Sequence, residues 1–513
     1  MKDFDIIENG LHIKFRITEE GRALLLHCSN KPYDEKAIAS RNLGMVVEPE
    51  TAQEVEKNNI NVFSPVEIAL SGGQFNDHHG AKKSKSDCSA RLKFIELEDL
   101  REEDGRHLIL NLKNNEVKVR CHYKMYNNIP VIRSFTEVTA LKDVSIEYLS
   151  SFQCMGIGIE HGQDVYENLK VGIPHNAWHG EAQWRFNTLS DHGLTACHDS
   201  FYMKKLSYGN TGSWSSKEYL PNGIMHDDKS LIFWQIENNG SWYSEIGNLR
   251  GFLYLSLYGP TFLEGHWKKT LSSGQSFESV PVALCFTDNL NLAIEAMTIY
   301  RRKIVSKHEA DKNLPTLYND YMHANWANPR PERLIKQIDA AAQLNLDYFV
   351  IDAGWYSDND WWDTLGDWEE ATERFKPYSL KYIFDYIFSK GMKGGLWLEI
   401  ESVGINCPIL NKIQHLCMKR DNQLVKDHDR HFLDFSLEET QKYATSIIDR
   451  LVKKYGISYI KMDYNVDCLA GCNNNSESLG NGLLLHNRCY LKWIEDIQKR
   501  HKDLIIEACA SGG

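Results

Sequence analysis

At 513 residues, with 42% apolar and 11% aromatic side chains and a formal net charge of −12, the chain is too long for one hydrophobic core and too apolar to be disordered. The acidic balance argues against a nucleic-acid surface and suggests a neutral or cationic partner. Met1-Lys2-Asp3-Phe4-Asp5-Ile6-Ile7-Glu8 lacks the apolar core of a signal peptide, and no stretch approaches roughly eighteen apolar residues, so no membrane span is expected.

From the start to residue 288 the pattern is strand after strand. Leu11–Ile17, Val117–Tyr123 and Phe252–Leu257 alternate apolar with polar residues, and turn signals such as Asn210-Thr211-Gly212 punctuate them. No convincing helix interrupts the run, and many short strands with polar outer faces predict an N-terminal β-sandwich over 1–288. Residues 171–186, with Trp178 and Trp184, depart from the alternation and read as a long polar-aromatic loop. It is either a surface loop anchored by its tryptophans or a lining for a neighbouring site.

Residues 289–305 carry the first helical stripe (Leu290, Ala293, Ile294, Met297, Tyr300, Ile304). With the polar run that follows, they read as a connector over 289–313. From 314 the rhythm becomes alternating strand and helix. Strands are expected near 318–324, 348–352, 395–400, 432–435, 458–463 and 504–508, and helices over 331–344, 379–390, 437–454 and 483–502. Repeated βα units imply a parallel sheet. The twelve cysteines show no disulfide-like spacing, which suits reduced thiols and a cytoplasmic location. Cys468 and Cys472 lie close together but lack a second ligand pair for zinc.

The chemistry concentrates in this second half. In Tyr459-Ile460-Lys461-Met462-Asp463-Tyr464-Asn465 a short apolar run ends in Lys461 and Asp463. Period-2 alternation puts both on one side of a strand, at its carboxyl end. Charged residues there are the layout of an α/β-barrel active site. Trp326, Trp355, Trp361, Trp362, Trp368 and Trp397 crowd the same half, and flat rings of this kind stack on the apolar faces of sugars. The run Asp358–Trp368 mixes aromatic and acidic residues as a sugar platform would, and its spacing fails the usual calcium-loop pattern. Glu399 and Glu401 end another strand, as pocket residues or as a capping pair.

Four stretches in order carry a resemblance: Ile351-Asp352-Ala353-Gly354-Trp355, Gly395-Leu396-Trp397-Leu398-Glu399, Lys461-Met462-Asp463-Tyr464-Asn465, and Cys509-Ala510-Ser511-Gly512-Gly513. Together they resemble glycoside hydrolase family 36, the α-galactosidases or melibiases. That family usually has Lys-Trp-Asp-Met-Asn at the third stretch and Asp-Asp-Gly-Trp at the first. The resemblance implies a (β/α)8 barrel and a retaining mechanism that cleaves terminal α-galactosyl residues. It implies Asp463 as the nucleophile that forms a covalent glycosyl-enzyme. For substrate binding it implies Asp352, Trp355, Trp397, Lys461, Asn465, Cys509, Ser511 and Gly512, with Trp326 as a further wall of the pocket.

It implies an oligosaccharide partner such as melibiose or raffinose, no metal and no organic cofactor, and a possible homo-oligomer. A barrel needs eight strands and six are legible, so the barrel is expected to be incomplete at the C-terminus. The family's acid/base aspartate is expected beyond Gly513. Ala353, where the family has a second aspartate, removes one acceptor for sugar hydroxyls. An α-N-acetylgalactosaminidase, galactosyl transfer to an acceptor sugar, and a catalytically silent galactoside-binding protein are the alternatives.

Overall fold

The computed structural model describes residues 1–40, 62–73, 82–158, 164–195, 204–249, 251–312 and 314–510. The chain divides into two compact units, Met1–Val305 and Ser306–Gly513.

The first unit is built from antiparallel strands. A ten-stranded and a six-stranded sheet are accompanied by a three-stranded sheet of Lys2–Glu8, Leu11–Ile17 and Ala23–Ser29. The two large sheets meet through Tyr123 and Phe152, whose rings lie edge to face at 6.4 Å. Ser134 and Thr136 of one sheet donate to the Ser151 and Ser150 carbonyls of the other. Alternation along Val131–Ala140 buries every second residue, as one-sided packing of a sheet requires.

Three details depart from the sequence expectations here. Short helices at Glu35–Ser40, Asp87–Ala90, Val165–Asn168 and Phe262–Gly265 interrupt the strands. Each is a turn or so long, too short to leave a periodic signature. The 171–186 loop is instead largely a hairpin, Lys170–His175 paired antiparallel with Gln183–Thr188. The helix Leu290–Ile304 is no connector, because Ala293, Ala296, Met297 and Tyr300 pack into a core with Val131, Phe233 and Cys285 of the ten-stranded sheet. The first unit therefore runs on to Val305 rather than ending at 288.

The second unit contains a five-stranded, all-parallel sheet whose strands lie side by side in chain order: Leu317–Asn319, Tyr348–Ile351, Lys393–Leu398, Tyr459–Met462 and Ile505–Ala508. Helices Pro331–Gln343, Leu380–Ser389, Glu438–Tyr455 and Leu479–Arg500 connect them. Each crossover moves one strand along, and uniform right-handedness then puts all four helices on one face. Their stripes, including Leu334, Ile338, Ile383, Ile387, Ile447, Leu451, Trp493 and Ile497, bury against Phe349, Ile351, Leu396, Leu398 and Ile460 in one core. Fully burying each such side chain is worth about 1.5–3 kcal/mol.

Local signals set the helix ends. Pro331 opens the first, Ser379 and Ser478 cap the second and fourth by accepting from Tyr382 and Asn481 N–H, and Gly456 closes the third at φ 72°.

The strand expected at 432–435 is not part of this sheet. Arg430–Phe432 pairs antiparallel with Ser402–Gly404 and with Lys426–Asp427, forming a small separate sheet. An apolar run of three or four residues does not reveal its partner or direction. The strand expected at 318–324 ends at Asn319 and gives way to a π-type turn over Tyr321–Asn325. No helix among the described residues is long and apolar enough to cross a membrane.

Candidate active site

The carboxyl ends of the parallel strands bring the charged residues together. Trp397 and Lys461 are partners in the register between Lys393–Leu398 and Tyr459–Met462, and Asp463 N–H extends that ladder by donating to the Leu398 carbonyl at 2.8 Å. Asp463 is buried. Its Oδ2 accepts the Trp397 indole N–H at 2.9 Å and its Oδ1 accepts the Tyr464 backbone N–H at 3.0 Å. Two donors thus orient both carboxylate oxygens.

Lys461 Nζ does not pair with Asp463 first. It lies 2.9 Å from Asp352 Oδ2, on the strand two places along. Burial alone would lower the Lys461 pKa, but the charge and hydrogen bond of Asp352, with smaller help from Cys509 and Asp463, raise it above the usual value. The ammonium therefore stands charged between the two carboxylates. Asp352 Oδ2 also accepts from Asn319 Nδ2 at 2.6 Å, and its Oδ1 accepts the Ala353 N–H.

Behind this pair sits Asp320. Its Oδ1 accepts the Asp352 N–H at 2.7 Å, and its Oδ2 accepts from Asn325 Nδ2. Burial, with the neighbouring Asp352 charge adding to it, pushes the Asp320 carboxyl up to about 7. Sequence reasoning missed Asn319 and Asp320. The available signal was their place at a strand's carboxyl end, the rule that singled out Asp352.

Asn465 is held by Glu399, which accepts its Nδ2 at 2.7 Å and its backbone N–H at 3.2 Å. Glu399 thereby belongs to the site. Glu401 points elsewhere, to His486 Nε2 at 2.9 Å. His486 Nδ1 accepts the Phe435 N–H, so the proton on this ring is assigned to Nε2 and faces Glu401.

The tryptophans divide. Trp397 is stacked with Tyr356 and lies close to Trp361 and Trp368. Trp355 has no accessible surface, and its Nε1 donates to the Trp397 carbonyl at 3.0 Å. It braces Trp397 rather than forming the expected pocket wall, because a ring wholly enclosed by its own chain has no face to offer. Trp326 is 56% exposed, and its ring meets Tyr321 at 5.6 Å, which in turn lies 6.1 Å from Trp361. Cys509 N–H bonds the Met462 carbonyl, which keeps Cys509 beside the strand Tyr459–Met462. Ser511 and Gly512 lie outside the described residues. No group of three or more His, Cys, Asp or Glu among the described residues is arranged to hold a metal ion.

A half-buried lysine paired with one carboxylate, beside a second carboxylate oriented by an indole and a backbone N–H donor, can bind polyhydroxylated rings and supply a nucleophile. A melibiase family profile matches residues 276–513. The chain is 22% identical over 379 residues to alpha-galactosidase 1 of Pediococcus pentosaceus, which spans 72% of this chain and 49% of that relative. It therefore covers about half the length of that relative. The crystal structure of the GH36 alpha-galactosidase AgaA from Geobacillus stearothermophilus superposes with a TM-score of 0.80 at 16% identity, covering 99% of this chain and 72% of that one. A variant of AgaA in complex with raffinose superposes at 0.81 with 17% identity, covering 99% and 72%. The multidomain, β-rich fold is thus shared with these structures.

Proposed function

We propose that this chain, whose residues 276–513 match the melibiase family profile, is a retaining α-galactosidase of glycoside hydrolase family 36 acting on oligosaccharides that end in an α-galactosyl residue. The observation that carries the proposal is Asp463 held between the Trp397 indole and the Tyr464 N–H, beside the Lys461–Asp352 pair. On this reading the five parallel strands are part of an eightfold barrel with its site at the carboxyl end.

Asp463 Oδ attacks the anomeric carbon as the glycosidic bond breaks, giving a galactosyl-enzyme ester that water then hydrolyses. Lys461 and Asp352 bind ring hydroxyls as donor and acceptor, and Asn465 adds a further polar contact. Departure of the aglycone oxygen needs a proton from a second carboxyl group. The raffinose complex of the neighbouring structure supports the substrate class.

Trapping tests the reading. Incubation with 5-fluoro-α-galactosyl fluoride, whose fluoride leaves with little acid assistance, should add one glycosyl group to the peptide containing Asp463, and Asp463→Asn should remain unlabelled. Label on any other residue, or equal labelling of the variant, overturns Asp463 as nucleophile. Galactose binding without labelling or turnover would favour the silent binding protein.

A further inference from the structure

We propose that the buried ion pair Arg430–Glu399 is a positioning device for the sugar site, tying the aromatic rim loop 358–368 to the segment that follows Asp463; the proposal rests on the glycosidase reading above. Both side chains have no accessible surface, and Arg430 Nη1 lies 2.5 Å from Glu399 Oε2. Arg430 Nε donates to the Trp362 carbonyl at 2.8 Å. The guanidinium carbon sits 3.6 Å above the centre of the Trp362 ring and 5.5 Å from that of Trp361. On the other side, Glu399 accepts both N–H groups of Asn465 and the Ser402 hydroxyl. One ion pair thus reaches the rim loop, a strand end, and the residue two beyond the nucleophile.

Stability alone gives no reason for such a pair. Desolvation of two charges offsets most of their attraction, and well-packed apolar residues of similar volume are often as good or better. Arg430 Nη2 is also buried without a hydrogen-bond partner among the described residues, a further cost. What the pair supplies is geometry. A planar fork can lie flat on an indole while two of its nitrogens bond in fixed directions, which a lysine ammonium cannot do. Asn465 is held at two points, its backbone N–H donating to Glu399 Oε1 and its Nδ2 to Glu399 Oε2. Arg430 lies in the same electrostatic neighbourhood as the proposed machinery. Burial raises the Tyr321 hydroxyl pKa first, Asp352 and Asp463 add to the rise, and Lys461 and Arg430 oppose it.

Hydrogen exchange on the full chain tests this directly, alongside thermal midpoints, for the wild type, Arg430→Met and Arg430→Met/Glu399→Gln. The single variant should lower the midpoint, because it leaves Glu399 buried and unpaired. The double variant should recover most of that loss, yet amides in 358–368 and 463–467, Asn465 above all, should exchange at least tenfold faster. Its kcat for an aryl α-galactoside should fall by a similar factor with KM changed less.

A double variant with wild-type exchange in both segments and wild-type kcat would show that the pair only fills space, and would overturn the proposal. Should the methionine variants fail to fold, Arg430→Lys keeps the charge and removes the fork. It should show the same acceleration, and unchanged exchange there overturns the proposal equally. Failure of the glycosidase reading shows separately, as a wild type that takes no label and binds no galactose, while the exchange result still stands.

Discussion

Trp397 donates its indole N–H to Asp463 Oδ2 across 2.9 Å, although 66 residues separate them. Parallel register makes the contact. Trp397 pairs with Lys461, so its side chain leaves the sheet on the same face as Lys461 and reaches the next same-face position, Asp463. The aromatic cluster behind Trp397 then holds the donor in place.

Trp397→Phe should therefore preserve packing and remove the donor. A hydrogen bond to a charged group is worth about 1.5–3 kcal/mol, which corresponds to a loss of about 10- to 150-fold in kcat/KM. Kinetics with an aryl α-galactoside would show it, with the thermal midpoint changed little. A loss below threefold would mean that the indole does not act on Asp463 in turnover.

Lys461→Met should destabilise the chain by about 3 kcal/mol or more near neutral pH, because it strands the buried Asp352 carboxylate. The pH dependence has a definite sign. The folded-state pKa of Lys461 is raised above 10.5, so its contribution is present in full below that value and is lost as pH rises through the folded pKa. Denaturant melts between pH 8 and 11.5 should show the gap between wild type and variant narrowing only at the alkaline end.

Asp320→Asn should have a pH-dependent effect of its own. The carboxyl is raised from 3.8 to about 7 in the folded state, so the stability it contributes is complete below pH 3.8 and is lost as pH rises through about 7. The amide cannot ionise. The variant should accordingly compare less favourably with wild type at pH 4.5 than at pH 8 in matched denaturation curves. A constant difference would mean that Asp320 is already ionised at the lower pH.

Gly354→Ala should fail sterically. Gly354 follows Ala353 with φ +94°, and a Cβ there would stand 2.0 Å from the Ala327 carbonyl oxygen. Left-handed strain and a backbone clash together should cost at least about 2 kcal/mol, read as a lowered thermal midpoint. Because the residue lies two past Asp352, sugar binding should weaken as well.

By itself the sequence determined the element types wherever a period ran long enough to be read. The stripes at 331–343, 380–389 and 438–455 each cover several turns, and the structure forms those helices within a residue or two of the expected ends. It also put Lys461 and Asp463 on one face of one strand, since that follows from alternation alone.

Only the tertiary structure decided who meets whom. Lys461 could have faced Asp463; the sheet order gives it to Asp352. Arg430 lies in Asp427-His428-Asp429-Arg430-His431, a run that reads as solvated surface. It is buried because a short antiparallel hairpin folds it beneath two indoles and against Glu399. Trp355 and Trp326 look alike in sequence, and packing encloses one and leaves the other outside. Periodicity is local and survives in the sequence. Pairing between distant segments depends on register, turn geometry and which face another element covers, and no local pattern encodes these.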